Sequence, residues 1–146
     1  MRSIIGAVLL SAFVGTSWAN DVGQIKVTKG VVHVERAGAR IPAVVGMPIQ
    51  QADKLVTGAD GSVGVTFADN SLLSVGPNSS LAVDKFSFDS STHEGQFDAS
   101  LQRGTLAVIS GKMVKQSPEA MKIRTPASIL GVRGTEFVVK VADPGT

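Results

Sequence analysis

No cysteine occurs among the 146 residues, which removes disulfides, thiol nucleophiles and zinc-thiolate sites at once. Tyrosine is absent as well, and the single tryptophan, Trp18, lies near the N-terminus. The chain thus lacks, beyond that point, the two side chains that most often anchor interfaces and stack on sugar rings. Charge of one sign is also missing, since 14 Lys+Arg stand against 12 Asp+Glu. Such a balance gives a nucleic-acid partner no electrostatic support. From Gln24 to Ile109 no segment carries the i, i+3, i+4 spacing of a long helix, so the pattern points to strands.

The one continuous apolar run is short. Met1 and Arg2 make a basic start, Ile4 to Val14 is apolar, and Ser17-Trp18-Ala19 has the small-x-small form that signal peptidase accepts. The run falls well below the ~20 residues of a spanning helix. Residues 1–19 are therefore expected to be a signal peptide cleaved after Ala19, with no transmembrane helix in the mature chain. No cysteine follows the cleavage site, which excludes a lipid anchor there. Residues 20–141 form one domain's worth of chain, and residues 142–146 read as a flexible tail.

What is present is alternation punctuated by turns. Gln24 to Arg36 gives two alternating runs around Lys29-Gly30, the pattern of a β-hairpin. Ala37-Gly38-Ala39 is a second turn, and Pro42 places the extended piece Arg40 to Val45 at a sheet edge. Ile49 and Leu55 are expected to be buried. Strands then begin at Val63, Leu72 and Leu81, each preceded by a turn of Asp, Asn, Gly, Pro or Ser. Lys85 to Phe88 continues the series, Asp89 to Gly95 is a polar loop, and Gln96 to Leu101 with Thr105 to Ile109 reads as another hairpin across Gln102-Arg103-Gly104. Ser117-Pro118-Glu119 can start one helical turn. The reading is a single all-β domain of short strands, β-helix-like or a rolled sheet, with a two-sheet β-sandwich as the alternative.

The most specific pattern is TPASILGVRGTEFVVKV, Thr125 to Val141. Gly131 and Gly134 bracket Val132 and Arg133, where a Cβ would hinder a tight turn, and Thr135, Phe137, Val139 and Val141 then point one way along a strand. Two roles stand open for Arg133. Its guanidinium can face a partner carboxylate, or it can bond turn carbonyls and fix the glycines; the flanking glycines favour the second. Arg133, Gly131, Gly134 and Thr135 are the candidate interaction or structural-turn residues.

Three segments in this order, GMPIQQADKLVTGADGSVGVTFADNSLLSVGPNSSLAV, LQRGTLAV and IRTPASILGVRGTEFVVKV, make the chain similar to the FecR domain. This is the exported part of the ferric-citrate-type regulators, and the resemblance covers about Gly23 to Val141. Ala52 stands where the family usually has glycine before aspartate, so that turn is expected to take another type. Asn70 replaces a usual Asp-Gly, and asparagine tolerates the left-handed region, so that turn is expected to survive. Sigma-regulating members carry a cytoplasmic domain and a membrane helix ahead of this domain. Neither stands ahead of it here, and the chain is not expected to relay a signal across a membrane by itself. The resemblance implies a periplasmic module that binds a protein partner in envelope signalling, with iron-uptake regulation as its possible setting.

Catalysis and cofactors find no matching pattern. No serine sits in a nucleophile elbow, GADGS and GVRG open no helix and so are not phosphate loops, and no cofactor is expected. His33 and His93 fall in separate segments, and His93-Glu94 with Asp89 makes a weak, exposed cluster, short of the ligands a metal site needs. Asp53, Asp60, Asp69 and Asp84 are spaced as turn residues and do not follow a calcium loop. A non-enzymatic protein-binding module that adds a strand at the Gln24–Arg36 hairpin is the leading expectation. A structural or glycan-associated envelope protein is the alternative.

Overall fold

Alternation with period two decides which face of each strand meets the core. In the computed structural model, which describes residues 21–131 and 136–141, this pattern builds an all-β rolled sheet. The strands are β1 (Asp21–Lys29), β2 (Val32–Arg36), β3 (Ala39–Pro42), β4 (Pro48–Gln50), β5 (Lys54–Thr57) and β6 (Ser62–Phe67). They continue with β7 (Leu72–Val75), β8 (Ser80–Phe88), β9 (Gly95–Ile109), β10 (Met121–Arg124), β11 (Ile129–Gly131) and β12 (Glu136–Val141). A short helix, α1 (Lys112–Gln116), and a 3-10 turn (Pro118–Ala120) join β9 to β10. The predicted turn at Ser117-Pro118-Glu119 is thus present. The expected signal peptide at residues 1–19, the expected tail at residues 142–146, and Arg133, Gly134 and Thr135 lie outside the described residues.

The sheet curls into two layers that share β9. One layer runs β4-β1-β6-β7-β9, with β12 also on β9; the other runs β3-β2-β5-β8-β9-β10-β11. All strand pairs are antiparallel except β9 with β10. The first half of β9 pairs with β8, Phe97 opposite Phe86, and its second half pairs with β7 and β12, Val108 opposite both Leu73 and Phe137. Facing side chains fill the space between the layers. Phe67 of one layer lies 5.5 Å from Phe86 and 4.6 Å from Phe97 of the other, ring centre to ring centre. Ile25, Ile49, Leu55, Leu73, Leu81 and Leu106 are wholly buried around them, each contributing about 1.5–3 kcal/mol on removal from water. Ile49 and Leu55 are buried as expected.

Two predicted hairpins are corrected. β1 and β2 do not pair; β1 lies between β4 and β6, and β2 between β3 and β5. The Lys29–Val32 turn carries the chain from one layer to the other. Gly30 makes this possible with φ 66°, and a Cβ there would collide with the backbone of Asp60. Likewise Gln96 to Ile109 is no hairpin but the continuous strand β9. Its register slips at Gln102, between Ser80↔Arg103 and Leu81↔Leu101, and Gly104 takes φ 93°. A bulge and a left-handed glycine bend the strand between layers without reversing it.

Buried polar groups hold the crossings. Thr57 Oγ1 donates to the Gly76 carbonyl at 2.6 Å and accepts from the Ser79 amide at 2.9 Å. Ser79 Oγ in turn accepts from the Thr105 amide at 3.0 Å, beside the bend of β9. A second junction is Asp69-Asn70-Ser71. Ser71 Oγ donates to Asp69 Oδ2 at 2.8 Å and accepts from the Gly111 amide at 3.0 Å, tying the β6–β7 turn to the end of β9. The third is Asp53, 1% exposed, which accepts from Arg36 Nε at 2.9 Å, Arg36 Nη2 at 2.7 Å and the Gln50 amide at 2.8 Å. The hydrogen bond to Asp53 raises the pKa of the Arg36 guanidinium further, against the opposing effect of burial. The two unusual turns behave alike. Asn70 takes φ 69° as expected, and Ala52 takes φ 76°, so its turn too places a residue in the left-handed region.

Candidate interaction site

The stretch that the sequence singled out flanks an opening of the roll. β10 and β11 form a hairpin closed by Thr125 to Ser128. There the Thr125 amide donates to the Ser128 carbonyl at 2.8 Å, and the Ser128 amide donates to Thr125 Oγ1 at 3.1 Å. Proline at position 126 suits such a turn because its φ is already fixed. β12 then returns to the other layer and pairs with β9, Glu136 opposite Ile109 through Val141 opposite Gly104. Val139 is buried, Phe137 packs partly against the core, and Val138 points outward. The inward placement of Phe137 and Val139 matches the expected alternation.

Between the β10–β11 hairpin and β12 lies a groove of about 490 Å³, lined by Thr125, Pro126, Ala127, Ser128, Leu130, Val139, Lys140 and Val141. Among the described residues its walls are mainly apolar, with the Lys140 side chain as the one charge. Ile129 at 61% and Val138 at 65% exposure add apolar surface on the strands that flank it. Among the described residues, β11 pairs only with β10 and β12 only with β9. Each leaves backbone donors and acceptors along one edge, the arrangement that accepts an added strand. The edge strands are therefore β3, β4, β11 and β12, and the expected edge at Gln24–Arg36 is corrected: β1 and β2 are both flanked by strands on either side.

Of the site residues drawn from the sequence, Gly131 ends β11 and is exposed. A Cβ at Gly131 would meet no heavy atom within 4 Å among the described residues. Arg133, Gly134 and Thr135 lie outside the described residues. The groove itself was not anticipated, because Leu130 and Val139 come from strands in different layers. Its one sequence signal was the run Ile129-Leu130, two large apolar residues beside a proline turn. The histidines stay apart from it. His33 lies half-buried on β2, and His93, with φ 62°, stacks on Phe88 at 5.9 Å between ring centres. Among the described residues no three His, Asp or Glu side chains are grouped to hold a metal ion, and no helix is long and apolar enough to cross a membrane.

Neither a search of the curated proteins nor one of the solved structures finds a match to this chain. The model of one family, described as FecR protein, matches residues 53–146. That match begins at Asp53, later than the Gly23 start that the resemblance implied. The strands before it are nonetheless part of the same fold, since β1 pairs with β6 and β2 with β5. The buried aspartate that opens the match, the turns after it and the final strand along the groove all lie within the matched span, and the chain belongs to the FecR family.

Proposed function

We propose that this chain is a non-enzymatic, exported FecR domain that captures an extended segment of a partner protein in the groove between β11 and β12. FecR domains serve signalling and regulation in the cell envelope and are not an enzyme family. The observation that carries the reading is the pair of edges, unpaired among the described residues, on either side of a groove lined by Pro126, Leu130, Val139 and Val141. An added strand would gain backbone hydrogen bonds from an edge and bury alternate side chains in the groove. The leader-like pattern of residues 1–19, a basic start, an apolar run and Ser17-Trp18-Ala19, supports a periplasmic location, and the family resemblance makes an iron-uptake pathway the first to test.

The test is site-specific photocrosslinking in the envelope. A crosslinker at Val138 should capture one protein partner, and Leu130→Asp should abolish that capture while the thermal melt is kept. A crosslinker at Val44, exposed to 58% on a different part of the surface, should capture nothing. Equal capture at Val138 and Val44 refutes the site. Sedimentation with purified cell wall tests the glycan alternative: binding that survives Leu130→Asp would favour it.

A further inference from the structure

A second feature lies on the outer face of the layer that contains β2, β3, β5, β8 and β9. Residues that point away from the core line up across it. Arg40 of β3 stands opposite Glu35 of β2, Glu35 opposite Lys54 of β5, Val56 of β5 opposite Ser80 of β8, and Ser80 opposite Arg103 of β9. Together with Gln102 these residues line a cleft of about 350 Å³, small-ligand size. Three cations and one carboxylate meet there, and Glu35 is engaged by Arg40 at 3.3 Å. Lys54 and Arg103 are paired with no acid among the described residues.

Ser80 separates this cleft from an ordinary ladder of surface charges. The residue is 4% exposed, and its buried Oγ has no hydrogen-bond partner among the described residues. A buried hydroxyl left without a partner is unfavourable, and this one lines a cationic cleft. We propose that the cleft binds a phosphate-class dianion. Arg103 and Lys54 supply charge and N–H donors, Arg40 adds charge from the rim, and the Ser80 hydroxyl donates to an oxygen at the base. The net charge of the lining, three cations against one carboxylate, matches two negative charges on the ligand. Either free phosphate and its small monoesters or a phosphate-bearing lipid headgroup presents this chemistry.

The test is a titration of the purified protein with sodium phosphate, followed by amide chemical shifts, with ionic strength held constant by sodium chloride. Saturable shifts are expected at Val56, Ser80 and Gln102. Arg103→Gln, at an exposed side chain, should weaken binding at least tenfold with an unchanged melt. Ser80→Ala should weaken it about threefold to tenfold, the value of one hydrogen bond, without loss of stability because the hydroxyl holds no other partner. Lys122→Gln, on β10 and outside the cleft, should change nothing. A response that does not saturate, or that is equal in Arg103→Gln and Lys122→Gln, overturns the proposal, as does a destabilised Ser80→Ala protein with unaltered phosphate binding. Co-sedimentation with phosphatidic acid vesicles in phosphatidylcholine identifies the source. Binding lost in Arg103→Gln assigns a lipid headgroup, and saturable phosphate binding without sedimentation assigns the free anion.

Discussion

Ala52→Gly should stabilise this protein. Ala52 is exposed, makes the turn before the buried Asp53 and sits at φ 76°. An L-residue in the left-handed region carries strain of about 1–2 kcal/mol. Glycine removes it but adds about 0.4–1 kcal/mol of chain entropy to the unfolded state. The turn's hydrogen bonds run through the backbone, from the Ala52 amide to the Val83 carbonyl at 2.7 Å and from the Asp53 amide to the Gln50 carbonyl at 3.1 Å, and glycine keeps them. The net gain is about 0.5–1 kcal/mol, worth a rise of about 2–6 °C in Tm for a domain of this size. Urea unfolding followed by circular dichroism measures it, with an unchanged slope showing that stability has changed and the surface exposed on unfolding has not. Ala39→Gly supplies the control, since Ala39 is exposed at the start of β3 without positive φ. The same chemical change should there cost about 0.5–1 kcal/mol. If both variants move stability in the same direction, backbone strain at Ala52 is not the cause.

Three further outcomes follow from the buried polar junctions and the bend of β9. Asp53→Ala should cost about 2–4 kcal/mol in urea, because it orphans the Gln50 amide and strips a half-buried Arg36 of its acid. The folded pKa of Arg36 is raised, so its share of that stability is complete below the unfolded value and is lost only as pH rises through the folded one. The cost of Asp53→Ala should accordingly not shrink between pH 7 and pH 10. Gly104→Ala should cost about 3 kcal/mol or more, since the new Cβ meets Ser79 at a φ of 93°, and a melt within 2 °C of wild type would refute the bend. Ser71→Ala should cost about 2 kcal/mol by leaving the Gly111 amide unpaired in a buried junction, read out by the same urea curves.

Much of the fold was legible because alternation and turn chemistry are local. Val63 to Phe67, Leu72 to Val75 and Met121 to Ile123 could be assigned from their own residues, and Ala37-Gly38 closes the β2–β3 hairpin as its composition implies, at φ 51° and 81°. Pairing partners were not legible. Lys29-Gly30 and Gln102-Arg103-Gly104 have the composition of hairpin turns, but what each does is set by distant strands. β4 and β6 occupy both sides of β1, and β7 and β12 take up β9 after its bend. The φ of Ala52 was not legible for a different reason: its turn places the buried Asp53 against Arg36 and the Gln50 amide, contacts that the turn's own residues do not reveal. Helix α1 was missed because five residues between Gly111 and Ser117 are too few to show a period. The cationic cleft combines side chains from five strands and leaves no contiguous trace, whereas the groove draws on two runs within Thr125 to Val141 that only the fold brings together.

The single strand shared by both layers has a consequence for how the molecule comes apart. Pairing of β8 and β10 with one half of β9, and of β7 and β12 with the other, leaves no seam along which one layer can detach while the other persists. Amides on the two halves, such as those of Leu101 and Leu106, should exchange with solvent deuterium through one common opening event. Cooperativity of this kind also couples the ends of the roll. A partner strand seated against β12 would be felt, as slower exchange, on the far side at β8.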